Sequence, residues 1–333
     1  MNRKIRWGLL GAGKILDRWM KGARQIEDME IVAVASRTRE RAAKTAEKFQ
    51  IPDVLTYEEM LVRKDIDVVY IPVPHTAHMD LALKAMKAGK SVLVEKPAGI
   101  NVQQWEKMTE CARKNQVFLM EAVWTRFFPL IKEIEAHLKD IGDVRVVSTN
   151  FSFRNDEMDS RLMDPNRAGG SLLDVGVYDL HFTKMILKKD PILLSGVASM
   201  DTDEHHLQVD EQAAWIAQYD KGELGLMCSA IRTDMIDTAY IYGTKGHMII
   251  PQFWKPWQLQ LTVGDKVETI ECPVPQKIAG IEDEGYQFEI AHVNQCIREG
   301  MKESPVMTWE ETASILKQCD MLRIQWGLKY PQD

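Results

Sequence analysis

Glu95-Lys96-Pro97 closes the apolar run Val92-Leu93-Val94. Proline fixes its own φ and biases the residue before it toward extended backbone, so the strand is expected to stop with Lys96 at its carboxyl end. An ammonium there is either a snorkelling surface cation or a group that binds and polarises a substrate. A second set of polar residues lies in Asn166-Arg167-Ala168-Gly169-Gly170-Ser171-Leu172-Leu173-Asp174-Val175-Gly176-Val177-Tyr178-Asp179-Leu180-His181. With a helix from about Gly170, Asp174 and Tyr178 share one face and His181 lies a turn further on. A carboxylate, a phenol and an imidazole among Leu172, Leu173, Val175 and Val177 are costly unless paired or in use. They either stitch a helix to a sheet or belong to a site.

A third set suits a dinucleotide. Gly8-Leu9-Leu10-Gly11-Ala12-Gly13-Lys14-Ile15-Leu16 joins the apolar strand Lys4–Leu10 to an amphipathic segment, and a second strand follows at Ile31–Ala35. This βαβ unit of about 30 residues is the setting that a glycine-rich phosphate loop requires. Gly11 would make the tight turn, and Gly13 would let the backbone approach a pyrophosphate seated on the helix N-terminus. Leu16 stands where a third glycine is usual. The second strand ends in Ala35-Ser36-Arg37-Thr38-Arg39-Glu40-Arg41, without the acid that would bond a ribose 2′-hydroxyl. Ser36, Arg37 and Arg41 instead suit the 2′-phosphate of NADP, with NAD as the second choice. Alternatively, the arginines are the solvated start of a helix.

The elements that must carry these residues alternate. Thr56-Tyr57-Glu58-Glu59 has the form of a capping box, and Asp67–Ile71 reads as a buried strand. Pro72-Val73-Pro74-His75-Thr76-Ala77-His78 then stops it. A helix from about Met79 to Ala88 is closed by Gly89. Asn101 is placed to cap a helix to about Lys114, and Val117–Met120 makes another strand. His75 and His78 could line a nicotinamide pocket or simply begin a helix. The expected fold is α/β plus α+β: an N-terminal doubly wound Rossmann domain over 1–122, then a domain over 123–333. That second domain is expected to hold a large, mainly antiparallel open sheet covered by helices on one face. Its strands are read at 144–153, 192–200, 211–219, 223–231, 238–242, 246–251, 258–263 and 266–271. The last helix is free to fold back onto the first domain.

Composition narrows the classes. In 333 residues, 45% apolar and 27% charged describe an ordinary globular protein, and a net charge of −7 gives no basic footprint for nucleic acid. No apolar run approaches the roughly 20 residues needed to cross a bilayer, and residues 1–6 lack the apolar core of a signal peptide. The five scattered cysteines contain no C-x-x-C pair and fit free thiols in a cytoplasmic protein. His205-His206 with Asp203 and Glu204 reads as a polar turn, and no metal is expected.

Together, Gly11-Ala12-Gly13, Pro74 with His78, Glu95-Lys96-Pro97, and Gly169-Gly170 leading to Asp174 and Tyr178 resemble the Gfo/Idh/MocA oxidoreductases. The resemblance covers essentially the whole chain. Met120-Glu121-Ala122-Val123-Trp124-Thr125-Arg126-Phe127-Phe128-Pro129 is similar to the branch of dimeric dihydrodiol dehydrogenases and NADP-linked D-xylose 1-dehydrogenases. So are Gly169–Tyr178, Gly243-Thr244-Lys245-Gly246 and Gly300-Met301-Lys302-Glu303-Ser304-Pro305. Tyr178 stands where many members carry histidine, and His75 where asparagine is common.

The resemblance implies hydride transfer between a nicotinamide and a carbinol carbon of a sugar, polyol or trans-dihydrodiol. Tyr178 would be the acid/base, Lys96 would hold the substrate hydroxyl, and Asp174 would orient substrate or tune the pair. A phenol ionises near pH 10, and a neighbouring ammonium favours phenolate, which makes Lys96 and Tyr178 a sensible chemical unit. Gly11, Gly13, Lys14, Ile15, Ser36, Arg37, Arg41, Pro72, His75, His78, Glu95 and Lys96 are the implied cofactor contacts. Trp124, Arg126, Phe153 and Trp254 are the candidate substrate wall, each aromatic also readable as core. An open sheet of this kind is a natural homodimer surface. The alternatives are an inositol or other sugar dehydrogenase of the same family, or a non-catalytic regulator that binds the dinucleotide.

Overall fold

The structure, a computed structural model, describes residues 3–157, 160–200 and 208–333. The segment holding Asp203, Glu204, His205 and His206 lies outside the described residues. The chain divides into two compact units: Met1–Phe127 with Val274–Ala313, and Phe128–Pro273 with Ser314–Asp333.

In the first unit, β1 (Ile5–Leu10), α1 (Leu16–Arg24), β2 (Met29–Ala35), α2 (Arg39–Phe49), β3 (Asp53–Leu55) and α3 (Tyr57–Val62) come first. Then follow β4 (Val68–Ile71), α4 (His78–Lys87), β5 (Ser91–Glu95), α5 (Val102–Asn115) and β6 (Leu119–Ala122). The strands form one parallel sheet in the order β3-β2-β1-β4-β5-β6, the doubly wound topology expected. Residues of β4 and β6 are buried throughout, as in a sheet covered on both faces. The helices begin where their polar residues can accept orphan amides. Thr38 caps α2, Thr56 and Glu59 complete the capping box of α3, and Asn101 caps α5 at 2.9 Å. Gly89, at φ +75°, follows α4 as expected. The edge strand β3, three residues long, has no sequence signal of its own.

The second unit opens with α6 (Pro129–His137) and β7 (Val144–Ser152), followed by α7 (Val177–Leu187). The strands β8 (Leu193–Met200), β9 (Asp210–Gln218), β10 (Leu224–Ala230), β11 (Thr238–Gly243), β12 (Gly246–Pro251), β13 (Gln258–Val263) and β14 (Lys266–Glu271) come next. They form an eight-stranded sheet in the order β14-β13-β12-β11-β7-β10-β9-β8. All neighbours are antiparallel except β7 and β10, because β7 enters the middle of a sheet otherwise built of hairpins. α7 packs on β7 and β10. Along β9 burial alternates residue by residue, so one face of the sheet is covered and the other open. The open face carries apolar side chains: Val197, Ile216, Leu226 and Tyr242 are exposed in the single chain.

The chain ends with α8 (Tyr286–Arg298) and α9 (Trp309–Trp326). α8 lies against α1 in the first unit, where Asn294 accepts from the Trp7 indole N–H at 2.9 Å. Among the described residues no helix is long and apolar enough to cross a membrane.

Candidate active site

At the carboxyl edge of the parallel sheet the loop after β1 turns under Gly11 and Gly13. A Cβ on Gly13 would stand 2.3 Å from the Pro72 carbonyl oxygen, and one on Gly11 2.5 Å from Val73 Cγ1. The glycines are therefore needed first for the close approach of the β1 and β4 loops. Lys14 is exposed and Ile15 half-buried just before α1, and Leu16 is buried. Leu16, in place of a third glycine, thus serves the core beneath the helix.

At the end of β2, Ser36 is buried while Arg37 and Arg41 are exposed. The Arg41 guanidinium donates to the Ala12 carbonyl at 3.0 Å, tying α2 to the glycine loop. Tyr57, which sequence reasoning passed over, lies in the field of Arg37 and Arg41. Burial pushes its phenol up, against the pull of those two arginines.

At the end of β4, His75 and His78 are buried with ring centroids 5.8 Å apart. His78 places Nδ1 2.8 Å from the Pro97 carbonyl oxygen and Nε2 2.8 Å from that of Val73. It thereby joins the loop after β4 to the loop after β5. Lys96 is half-buried at the end of β5, before a cis peptide to Pro97. Its amide donates to Glu95 Oε2 at 3.2 Å, and the Tyr70 hydroxyl donates to Glu95 Oε1. Burial first, and the Glu95 charge second, hold the Tyr70 phenol well above the ordinary range, so it stays a donor. Glu121, at the end of β6, accepts from the Ala98 amide at 2.8 Å and the Thr312 hydroxyl at 2.9 Å. The backbone around Lys96 is thus held by His78, Glu95 and Glu121. Of these, Glu121 has no sequence signal of its own, because its partners Ala98 and Thr312 lie 23 and 191 positions away.

Two residues expected on the substrate wall are engaged by side chains and backbone of this unit. Trp124 is buried and stacked on Tyr286 at 4.1 Å, with the Arg18 guanidinium 5.2 Å from its ring. Arg126 pairs with Glu311 at 2.6 Å and donates to the Val306 carbonyl at 3.1 Å.

In the second unit the helix bearing Asp174 and Tyr178 opens with a π turn over Leu172–Gly176. The constant rotation assumed in pairing Asp174 with Tyr178 does not hold through it, because a π turn inserts an extra residue into the helix. Asp174 is buried and accepts from the Arg161 guanidinium at 2.8 Å. Tyr178 is half-buried, edge-on to Phe151 at 5.3 Å, and Phe151 stacks on Trp254 at 4.9 Å. Trp254 therefore belongs to an aromatic group with Tyr178. Its link is Phe151 rather than Phe153, which is half-buried two residues further on. His181 is buried in α7.

A doubly wound dinucleotide-type sheet and a separate open-sheet unit, each with polar groups at its helix and strand ends, define a two-domain nicotinamide oxidoreductase architecture. Residues 5–123 match the family model of the Gfo/Idh/MocA oxidoreductases with an NAD-binding Rossmann fold, and residues 136–249 match that family's C-terminal domain. The chain belongs to this family. It is 34% identical to trans-1,2-dihydrobenzene-1,2-diol dehydrogenase from Mus musculus over 335 residues, covering 99% of both chains. It is 33% identical to the Homo sapiens protein of that name, again over 99% of both. Among solved structures it resembles KijD10, a 3-ketoreductase from Actinomadura kijaniata in complex with NADP and TDP-benzene. The TM-score there is 0.86 at 22% identity, covering 97% of this chain and 98% of that one. It also resembles an aldose-aldose oxidoreductase from Caulobacter crescentus, with a TM-score of 0.84 at 22% identity, covering 97% of both chains.

Proposed function

We propose that the protein is an NADP-dependent dehydrogenase or reductase acting on CH–OH groups of a trans-dihydrodiol, polyol or sugar, with Tyr178 as the acid/base. The observation that carries this reading is the end-to-end similarity to dihydrodiol dehydrogenases, in a chain that has Lys96 at the end of β5 and Tyr178 on a helix opened by a π turn. The first unit is the cofactor domain and the second the substrate domain.

The donor set at the end of β2 fits a dinucleotide with a 2′-phosphate. It offers the Ser36 hydroxyl and two guanidinium groups, and residues 35–39 contain no carboxylate that would repel the charge. Gly11, Gly13, Lys14 and Ile15 would border the pyrophosphate, with His75 and Glu95 toward the nicotinamide. Lys14 would add a cation there. His78 and Pro72 act by holding the loops. A nicotinamide held there would supply or accept the hydride. Lys96 hydrogen-bonds the substrate oxygen and favours its anionic form, while Tyr178 takes the hydroxyl proton in oxidation and returns it in reduction. Asp174, held by Arg161, orients substrate. Trp254 and Phe151 form an aromatic wall beside Tyr178 in the second unit. Arg126 and Trp124 support the first unit through Glu311, Val306, Tyr286 and Arg18.

We also assign the open face of the eight-stranded sheet to a homodimer contact. Cross-strand registration places Ile216, Leu226, Ser148 and Tyr240 in one row over a depression of about 780 Å³. Exposed apolar groups such as Ile216 and Leu226 on one sheet face make a surface that a twofold partner can cover.

The test is cofactor reduction against cyclic trans-diols, polyols, aldoses and inositols, with NADP and NAD in parallel. Turnover of a diol or pentose with NADP is expected. Tight NADP binding with silence across the panel would refute the dehydrogenase reading.

A further inference from the structure

The helix that carries Asp174 and Tyr178 does not cap itself. Ser171, at its start, makes no side-chain bond to its own first turn. That turn is held from another element. Asp210, fully buried at the start of β9, accepts from the Leu172 amide at 2.6 Å and from the Ser171 hydroxyl at 2.9 Å, both on Oδ2. Since Ser171 gives its only proton to Asp210, its oxygen is left to accept from the buried Ser229 hydroxyl on β10, 2.9 Å away. Gly170, at φ +113°, makes the approach feasible, because a Cβ there would stand 2.0 Å from Asp210 Oδ1. The residue before it is fixed as well: the Tyr330 hydroxyl donates to the Gly169 carbonyl at 2.6 Å.

We propose that Asp210 is a positioning residue for the reaction, an N-cap supplied in trans that sets the first turn of the Tyr178 helix and so the place of the Tyr178 hydroxyl. The inference rests on the acid/base reading of Tyr178. A capping carboxylate at a helix start accepts the orphan amides and favours the positive end of the helix dipole. Here it does so immediately before a π turn, where the helix has least regularity of its own.

The same site predicts a pH signature. Burial pushes the Asp210 carboxyl up to about 6, against the hydrogen bonds from Leu172 and Ser171 and the field of Arg323. Arg323 on α9 is itself paired with Asp320 and Asp333, and Tyr330 also faces Asp210. Burial holds the Tyr330 phenol well above its ordinary range, so it stays neutral. Protonating Asp210 weakens the cap, and turnover falls on the acid side.

The experiment compares Asp210→Ala, Asp210→Asn, Tyr178→Phe and Asp210→Ala/Tyr178→Phe in the full chain, with kcat, KM for NADP and the pH profile of kcat. Asp210→Ala is expected to lower kcat by about tenfold at neutral pH while KM for NADP stays within about twofold. Asp210→Asn, whose neutral amide mimics the protonated carboxyl, should show at every pH the reduced turnover that the unsubstituted protein shows only on the acid side, and so abolish the acid limb near pH 6. In the Tyr178→Phe background the Ala substitution should cost less than about twofold more, because the two changes remove one function. An impaired Tyr178→Phe together with unaltered kcat in Asp210→Ala, or with equal losses from Asp210→Ala in both backgrounds, overturns the inference alone. An unchanged acid limb in Asp210→Asn does the same, even where the alanine variant fails to fold. Full activity of Tyr178→Phe overturns the acid/base reading and the inference with it.

Discussion

A lysine, a phenol and a pair of guanidinium groups carry the proposed chemistry, and each can be removed singly. Tyr178→Phe deletes the transferable proton but keeps the ring that packs edge-on against Phe151. Turnover should fall by at least about 10²-fold while NADP still binds. Lys96→Met keeps the aliphatic stem and removes the ammonium, with a loss of the same order expected. Stopped-flow turnover beside a fluorescence titration of NADP separates the two effects, and undiminished turnover in either variant refutes that residue's role. Arg37→Ala should weaken NADP more than NAD, since only the former has a 2′-phosphate for a guanidinium to hold. Equal weakening of both cofactors would show that Arg37 does not read the phosphate.

At the scale of elements, what matters is how strand and helix ends are held. Asn101 accepts from the Gln104 amide at the start of α5, and an alanine there should lower stability by about 1 kcal/mol in denaturant unfolding. No change in the midpoint would mean that water replaces the cap without cost. α8 buries Glu289 completely, and among the described residues neither of its carboxylate oxygens has a hydrogen-bond partner. Burial, then Glu95 and Glu121, push this carboxyl well above the ordinary range. A raised carboxyl stabilises the fold fully below its unfolded pKa of about 4.3, and that contribution is lost as pH rises through the folded value. Glu289→Gln removes the titration, so its Tm should fall less than that of the unsubstituted protein between about pH 5 and about pH 9. Parallel Tm curves for the two proteins would mean that Glu289 does not change ionisation on folding.

For the whole molecule, the open sheet face raises the question of oligomeric state. Ile216 and Leu226 are paired across β9 and β10 and stand exposed in the single chain. An aspartate at both positions places like charges at the middle of any twofold contact, where they would be desolvated. Light scattering should give twice the chain mass for the unsubstituted protein and the single chain mass for Ile216→Asp/Leu226→Asp. A dimer that survives both substitutions locates the contact elsewhere.

What the sequence alone determined about this protein is what depends on local pattern. Continuous apolar runs bounded by Gly and Pro marked the buried parallel strands. Alternation marked the strands of the second sheet, and Thr56-x-x-Glu59, Asn101 and Gly89 marked helix ends. The motifs around Lys96 and Tyr178 were legible for the same reason, as strand-end and helix-start residues whose polarity departs from their apolar surroundings. Tertiary structure decided which polar groups are already engaged. Arg126 looked available in sequence but meets Glu311, 185 positions away, because the chain returns to the first unit after Pro273. Phe151 rather than Phe153 lies against Tyr178, a choice that strand alternation cannot make between residues on the same face. The π turn had no signal in residue type, and Asp210 had none in spacing, since the cap it supplies comes from a strand 38 residues beyond Leu172. Local periodicity records which residues lie on a face. Only the packing of one element on another determines what that face meets.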